Sequence, residues 1–343
     1  MEACTLCQKQ PADKTGSHLI PSFLLKMVEN YDGSNKRDRG LGFRLTAEDT
    51  EVHFERAVSG EKITEVMGEL PEEELRNYPS PSIRDYVYCS NCEKFFGKLE
   101  SAYAPTLSKD GKDNYPSTDD PLTATLFWLS IFWRASAAGT YGFSLGENEQ
   151  EQLRSILVYY TESDAGSDQP EGLQTLRYKI IRSVGFAKQL TGFISFDPAE
   201  TEPYCAVIGE YAAFLYFDQV KTAQIPDDFF GFEKVVADAK VNSSTTGEQI
   251  LAVPDDVFLA ANNKLALKMS ELKTNYFSGL IIGTAKIYFG FNGKLPADTI
   301  KGIAIKIPDS DQPSGKKYSK KEVMELIASE LSVYFESLKI ESK

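Results

Sequence analysis

The reactive side chains of this sequence are concentrated in two short cysteine pairs. Cys4-Thr-Leu-Cys7 opens the chain and Cys89-Ser-Asn-Cys92 comes much later, so four of the five cysteines stand in C-x-x-C spacing. Two such pairs supply the four thiolates of a tetrahedral zinc site, with zinc–sulfur distances of about 2.3 Å. Between them lies Ser17-His18-Leu19-Ile20-Pro21. An imidazole titrates near neutrality and suits a general base. After Cys92 the chain runs into Glu93-Lys-Phe-Phe-Gly-Lys-Leu-Glu100, and Phe95, Phe96, Leu99 and Tyr103 recur at helical spacing. The second pair therefore opens a helix, whose dipole favours thiolate. The gap between the pairs exceeds the spacing of compact zinc ribbons, so an insertion at about 22–85 has to be looped out.

These ligands must be held by the elements around them. Gln8-Lys-Gln-Pro11 supplies a tight turn after Cys7, and Ser17-His18-Leu19-Ile20 alternates like a short strand. Tyr86-Val87-Tyr88 reads as the strand that delivers Cys89. A polar stretch at 106–120 is expected to be a linker. Asp120 then caps a helix whose first residue is Pro121. From Leu122 to about Ala138 that helix is apolar nearly all round, which predicts a central buried helix too short to cross a bilayer. Arg134 inside it requires a carboxylate or carbonyl partner. A helix over about 148–160 follows, then β-like alternation from Leu176 to Phe217, in which Cys205 is a small buried residue. A helix is expected from Pro254 to about Lys273, strands at 280–282, 285–291 and 303–307, and a last helix with Val323, Ile327, Leu331, Tyr334 and Leu338 on its buried face.

At 343 residues with 42% hydrophobic and 12% aromatic residues, the chain builds a sizeable core and two domains. Its net charge of −13 is spread along the sequence: residues 1–100 hold 13 Lys and Arg against 18 Asp and Glu, and the remainder 24 against 32. Bulk charge thus repels nucleic acid, and any contact with it must be local. Lys36, Arg37, Arg39 and Arg44 form the most basic stretch of the N-terminal half; they read as a solvated loop or as phosphate contacts. No signal peptide and no membrane span is read, and paired C-x-x-C motifs in such a chain point to a metal and a cytoplasmic location. The sequence lacks a G-x-S-x-G elbow, a P-loop, a dinucleotide fingerprint and H-E-x-x-H. A redox role for the cysteines lacks the βαβ pattern that accompanies it.

The knuckle, the S-H-x-I-P segment and a C-x-x-C at a helix start together resemble the HNH, or ββα-metal, endonucleases of treble-clef type. The resemblance covers roughly residues 1–105. It implies an N-terminal zinc-bound treble-clef module with a helical insertion and leaves the rest unassigned; with the larger mixed α+β domain that the residue pattern predicts over 121–343, the expected fold class is α+β. In that family the strand histidine activates water, and the residue before it and the one after the last cysteine ligate a divalent metal. His18 then stands as the base, Ser17 as the first ligand and Glu93 as the second, with structural zinc and catalytic Mg or Mn. Serine replaces the expected Asp or His, and glutamate the expected Asn or His. The S-H-x-I-P and C-x-x-C-E segments are also similar to bacterial HNH-like proteins, some associated with phage defence.

The expectation is thus metal-dependent hydrolysis of nucleic acid, DNA ahead of RNA, with 121–343 choosing a target, binding a protein partner or forming a homo-oligomer. The rival reading is a non-catalytic zinc module that binds a protein or senses a ligand.

Overall fold

The structure is a computed structural model that describes residues 2–21, 23–24, 42–45, 50–53, 64, 82–107, 115–139, 141–162, 169–183, 193–196, 202–223, 229, 231–307 and 320–341. The chain forms two compact units. The first comprises Met1–Arg44, His53–Val58 and Tyr78–Leu265; the second comprises Leu45–Val52, Ser59–Asn77 and Ala266–Lys343. The stretch at 106–120 lies inside the first unit.

The first unit begins with a tight knuckle. Ala3 bridges Pro11, the Cys4 amide donates to the Gln10 carbonyl at 2.7 Å, and the Gln8 amide returns to the Cys4 carbonyl at 2.8 Å. Gln8 takes φ 57 to close this turn. Strand β1 (Ser17–His18) pairs antiparallel with β4 (Ile83–Arg84), Ser17 opposite Arg84 and His18 opposite Ile83. Strands β2 (Gly42–Leu45) and β3 (Thr50–His53) belong to the chain looped out between β1 and β4.

The strand expected at 86–88 is displaced to Ile83–Arg84. Tyr86 takes φ 58, which interrupts extended structure. The Val87 and Tyr88 carbonyls instead accept from the Thr5 and Lys14 amides of the knuckle.

Helix α1 (Ser90–Tyr103) starts directly at the second cysteine pair. After β5 (Tyr115–Pro116) comes α2 (Pro121–Ala138), capped as the sequence predicts. The Asp120 carboxylate accepts from the Thr123 amide at 3.1 Å and from its hydroxyl at 2.6 Å, and Gly139 ends the helix with φ 58. Every residue from Ala124 to Ser136 is buried. Helix α3 (Glu147–Glu162) packs beside it.

The sheet of this unit is built mainly from β6 (Arg177–Arg182), β7 (Phe193–Phe196), β8 (Tyr204–Ile208), β9 (Tyr211–Tyr216) and β10 (Gln249–Ala252). The spatial order is β2-β7-β8-β9-β6-β10-β5. β2 runs parallel to β7, and β10 parallel to β6. The other neighbours are antiparallel.

Alternation along these strands buries both faces. Tyr178, Ile180, Ala206, Ile208, Ala213 and Leu215 join one apolar cluster with α2 and the cysteines. On the opposite face Phe214 meets Phe229 and Phe232 at ring separations of 5.3 and 5.6 Å, and Phe232 meets Phe258 at 5.8 Å. Cys205 is buried in this sheet, as the sequence implies. Short α4 (Glu233–Asp238) lies between β9 and β10 in the chain.

Helix α5 (Asp255–Phe289) is much longer than the helix expected to stop near Lys273. The expected strands at 280–282, 285–291 and 303–307 are helical: the first two mostly within α5, the third mostly within α6 (Ala297–Lys306). Short apolar runs do not distinguish strand from helix by themselves. Here the buried positions Phe258, Ala261, Leu265 and Met269 keep three- and four-residue steps, and Ile281 and Ala285 resume the four-residue step further along the same helix. In the second unit Ile281, Ala285, Leu295, Ile303, Ile327 and Leu331 form a separate core with α7 (Lys320–Glu341). Leu338, expected on the buried face of α7, is exposed.

Among the described residues, no helix is long and apolar enough to cross a membrane.

Candidate metal centre

The four cysteines converge. The sulfurs of Cys4, Cys7, Cys89 and Cys92 all lie within 4.8 Å of one another, and all four residues are buried. Cys7 Sγ and Cys89 Sγ are 3.8 Å apart. A tetrahedron with zinc–sulfur bonds of about 2.3 Å has sulfur–sulfur edges of about 3.8 Å, so this donor set fits zinc in number, chemistry and spacing.

The knuckle is held by three neighbours. Asp13 accepts from the Ser90 amide at 2.8 Å and from its hydroxyl at 3.0 Å. This satisfies a helix-start donor that Cys89, with no side-chain cap, leaves open. Arg154 of α3 donates to the Leu6 carbonyl at 3.0 Å, between the first two cysteines. Lys9 pairs with Glu162 at 2.6 Å at the surface.

The four thiols perturb one another. A hydrogen bond from Cys92 is the largest influence that lowers the Cys4 thiol to about 4. The same contact, with burial behind it, pushes Cys92 well up, and burial raises Cys89. Crowded thiols oppose each other's ionisation, and a divalent cation is what would let all four act as thiolates.

His18 lies on β1 and is partly exposed. Its carbonyl accepts from Arg134 Nη1 at 2.9 Å. Ser17 is fully buried, and its hydroxyl has no hydrogen-bond partner among the described residues. Glu93 sits in the first turn of α1, one residue after Cys92, and is partly exposed. Among the described residues, only the four cysteines form a metal-binding group of three or more Cys, His or carboxylate side chains; His18 and Glu93 join no such group. Lys36, Arg37 and Arg39 lie outside the described residues. Arg44 is described in its backbone alone, opposite Ile194 of β7.

The sequence did not identify Glu100 as the partner of Arg134. Its carboxylate is 2.8 Å from Arg134 Nη1, so the partner that Arg134 requires is a residue of α1. The available signal was a single charge in an otherwise apolar helix. A second unforeseen centre is Glu248, fully buried, which accepts from Tyr103 at 2.7 Å, from Trp128 Nε1 at 3.1 Å and from the Ser117 hydroxyl. Burial raises its pKa above the usual carboxylate range.

Compared with protein-family models, with curated proteins and with solved structures, the chain finds no significant match.

Proposed function

We propose that residues 1–105 form a zinc-stapled treble-clef module of HNH type that hydrolyses phosphodiester bonds in nucleic acid, DNA ahead of RNA. The observation that carries this reading is the spatial order of its parts. A cysteine knuckle and a helix opening on the second cysteine pair close on one cluster of sulfurs, and between them in the chain the strand bearing His18 pairs with β4. Zinc in that cluster would be structural, because four protein ligands leave no open position.

In this reading His18, partly exposed on a strand fixed at both ends, takes the proton of an attacking water. Its main chain is fixed by the hydrogen bond from Arg134 to its carbonyl. Glu93 is the one carboxylate placed at the start of α1. Magnesium is commonly held by one or two carboxylates together with substrate phosphates, so Glu93 suits that role, while the buried Ser17 adds no accessible oxygen. A divalent cation so held would supply charge stabilisation to the departing oxygen.

The burial of Ser17 favours a second reading, in which the module is a non-catalytic zinc scaffold and the rest of the chain binds a protein or ligand.

The test is cleavage of plasmid DNA and of RNA by zinc-replete protein with Mg²⁺ or Mn²⁺, beside His18→Ala and Glu93→Ala proteins of equal zinc content. Cleavage that both substitutions abolish supports the nuclease. Cleavage that persists in His18→Ala rejects this mechanism and points to another site or a contaminant, and no cleavage on either substrate rejects it in favour of the scaffold.

A further inference from the structure

A cleft of about 510 Å³ opens beside the metal module, lined by α1, the start of α2 and the end of α3. That is the size of a small-molecule site. Phe95, Leu122 and Leu126 give it apolar lining, and Tyr160 brings a second aromatic ring from α3. Lys94 and Lys98 also line it, one helical turn apart on α1.

With Glu162 paired to Lys9, the cleft keeps two lysines against the single carboxylate of Asp120, an excess of one positive charge. Two carboxylates line it, and both are engaged. Asp120 uses both oxygens on Thr123, and Glu162 is held by Lys9 at 2.6 Å. Lys94 and Lys98 make no ion pair or hydrogen bond with another described residue. Two ammonium groups at i and i+4 lie close enough to contact a single phosphate. Beside them are two rings and an aliphatic surface, which favour a planar, largely apolar body. A neutral apolar ligand would leave the lysines unused, and a bare anion would leave the rings unused.

We propose that this cleft binds a nucleotide, its phosphate on Lys94 and Lys98 and its base against Phe95 and Tyr160. The nucleotide is either free or part of a single strand. The inference involves no bond breaking and does not rest on the nuclease reading.

The test is calorimetric titration of the zinc-loaded full chain, without Mg²⁺ and at low salt. The probes are AMP, adenosine, ribose 5-phosphate, inorganic phosphate and a single-stranded oligodeoxyadenylate. AMP is expected to bind with a Kd below roughly 1 mM, and adenosine, ribose 5-phosphate and inorganic phosphate at least about tenfold more weakly. The double variant Lys94→Gln/Lys98→Gln should lose at least about tenfold in AMP affinity, with zinc content unchanged because both side chains are exposed. Lys240→Gln, outside the cleft, should bind as the parent does. Tighter binding of the oligonucleotide through the same two lysines identifies a strand as the source, and preference for AMP identifies a free nucleotide. The proposal is overturned by the absence of binding by both AMP and the oligonucleotide, by inorganic phosphate binding as tightly as AMP, or by affinities that the double substitution leaves unchanged.

Discussion

Arg134 and Glu100 are joined at 2.8 Å, and the same guanidinium nitrogen donates to the carbonyl of His18. Arg134 is almost wholly buried, with 1% of its side chain exposed. Its Nε donates to the Ser130 carbonyl at 3.2 Å, and its guanidinium lies 4.7 Å from the centre of the Phe96 ring. One side chain of α2 therefore ties α1 to the strand that carries His18.

Removing either partner should be costly, because the other charge is left without compensation in a poorly solvated place. Arg134→Ala and Glu100→Ala are each expected to lower stability by about 3–5 kcal/mol. Arg134→Lys should recover little, since an ammonium cannot reproduce the divergent donors of the guanidinium. Urea unfolding of zinc-loaded protein measures this, and losses under about 1 kcal/mol would show that the pair is not structural.

The cysteine cluster predicts about one zinc ion per chain by elemental analysis. Cys92→Ser should abolish stoichiometric binding. Chelation of the parent should lower its melting temperature, because metal held only by the folded state stabilises it by mass action. A melting temperature indifferent to chelator would remove zinc from the account of this fold.

Glu248 predicts a pH dependence. Its donors are Tyr103 of α1, Ser117 and Trp128 of α2, and no cation is hydrogen-bonded to it among the described residues. Burial raises its folded pKa above the unfolded value near 4.3. Between the two values the folded state binds more protons than the unfolded state, so stability falls as pH rises through that window. The contribution is fully present below the unfolded value and lost above the folded one. Glu248→Gln should flatten this component of a stability–pH profile, whatever it does to absolute stability. A slope unchanged by the substitution would place the proton elsewhere.

Trp133 couples α2 to the metal module, packing on Phe96 at 6.4 Å and on Tyr88 at 6.2 Å between ring centres. Tyr88 directly precedes Cys89, and Phe96 follows Cys92 by one turn of α1. Trp133→Ala is expected to cost about 3–5 kcal/mol through the cavity it leaves, and to speed zinc transfer to a chromogenic chelator. Destabilisation without faster release would mean that the ring supports the core alone.

The cysteine cluster was legible because ligand spacing is a local property: each C-x-x-C sets two sulfurs, and a helix start sets the second pair. Helix α2 was legible for a similar reason, with Asp120 and Pro121 at its start and a mostly apolar sequence behind them. The helical run through 280–289 was not, because Leu280-Ile-Ile has strand-like composition while its period is set by burial of Ile281 and Ala285 in the second core. The Arg134–Glu100 link was half visible. A charge in an apolar helix announces the need for a partner, but the partner's identity depends on how two helices pack. The same holds for Glu248, whose donors come from segments more than a hundred residues away along the chain.

The separation of the two cysteine pairs, with Cys7 and Cys89 82 residues apart, has a consequence for synthesis. At about 5–20 residues per second on the ribosome, the first pair waits roughly 4–16 s before the second has been made. During that interval Cys4 and Cys7 are an exposed dithiol on a nascent chain, open to oxidation or to capture of metal in an incomplete site. Until Cys92 emerges, the knuckle therefore depends on the reducing capacity of its surroundings.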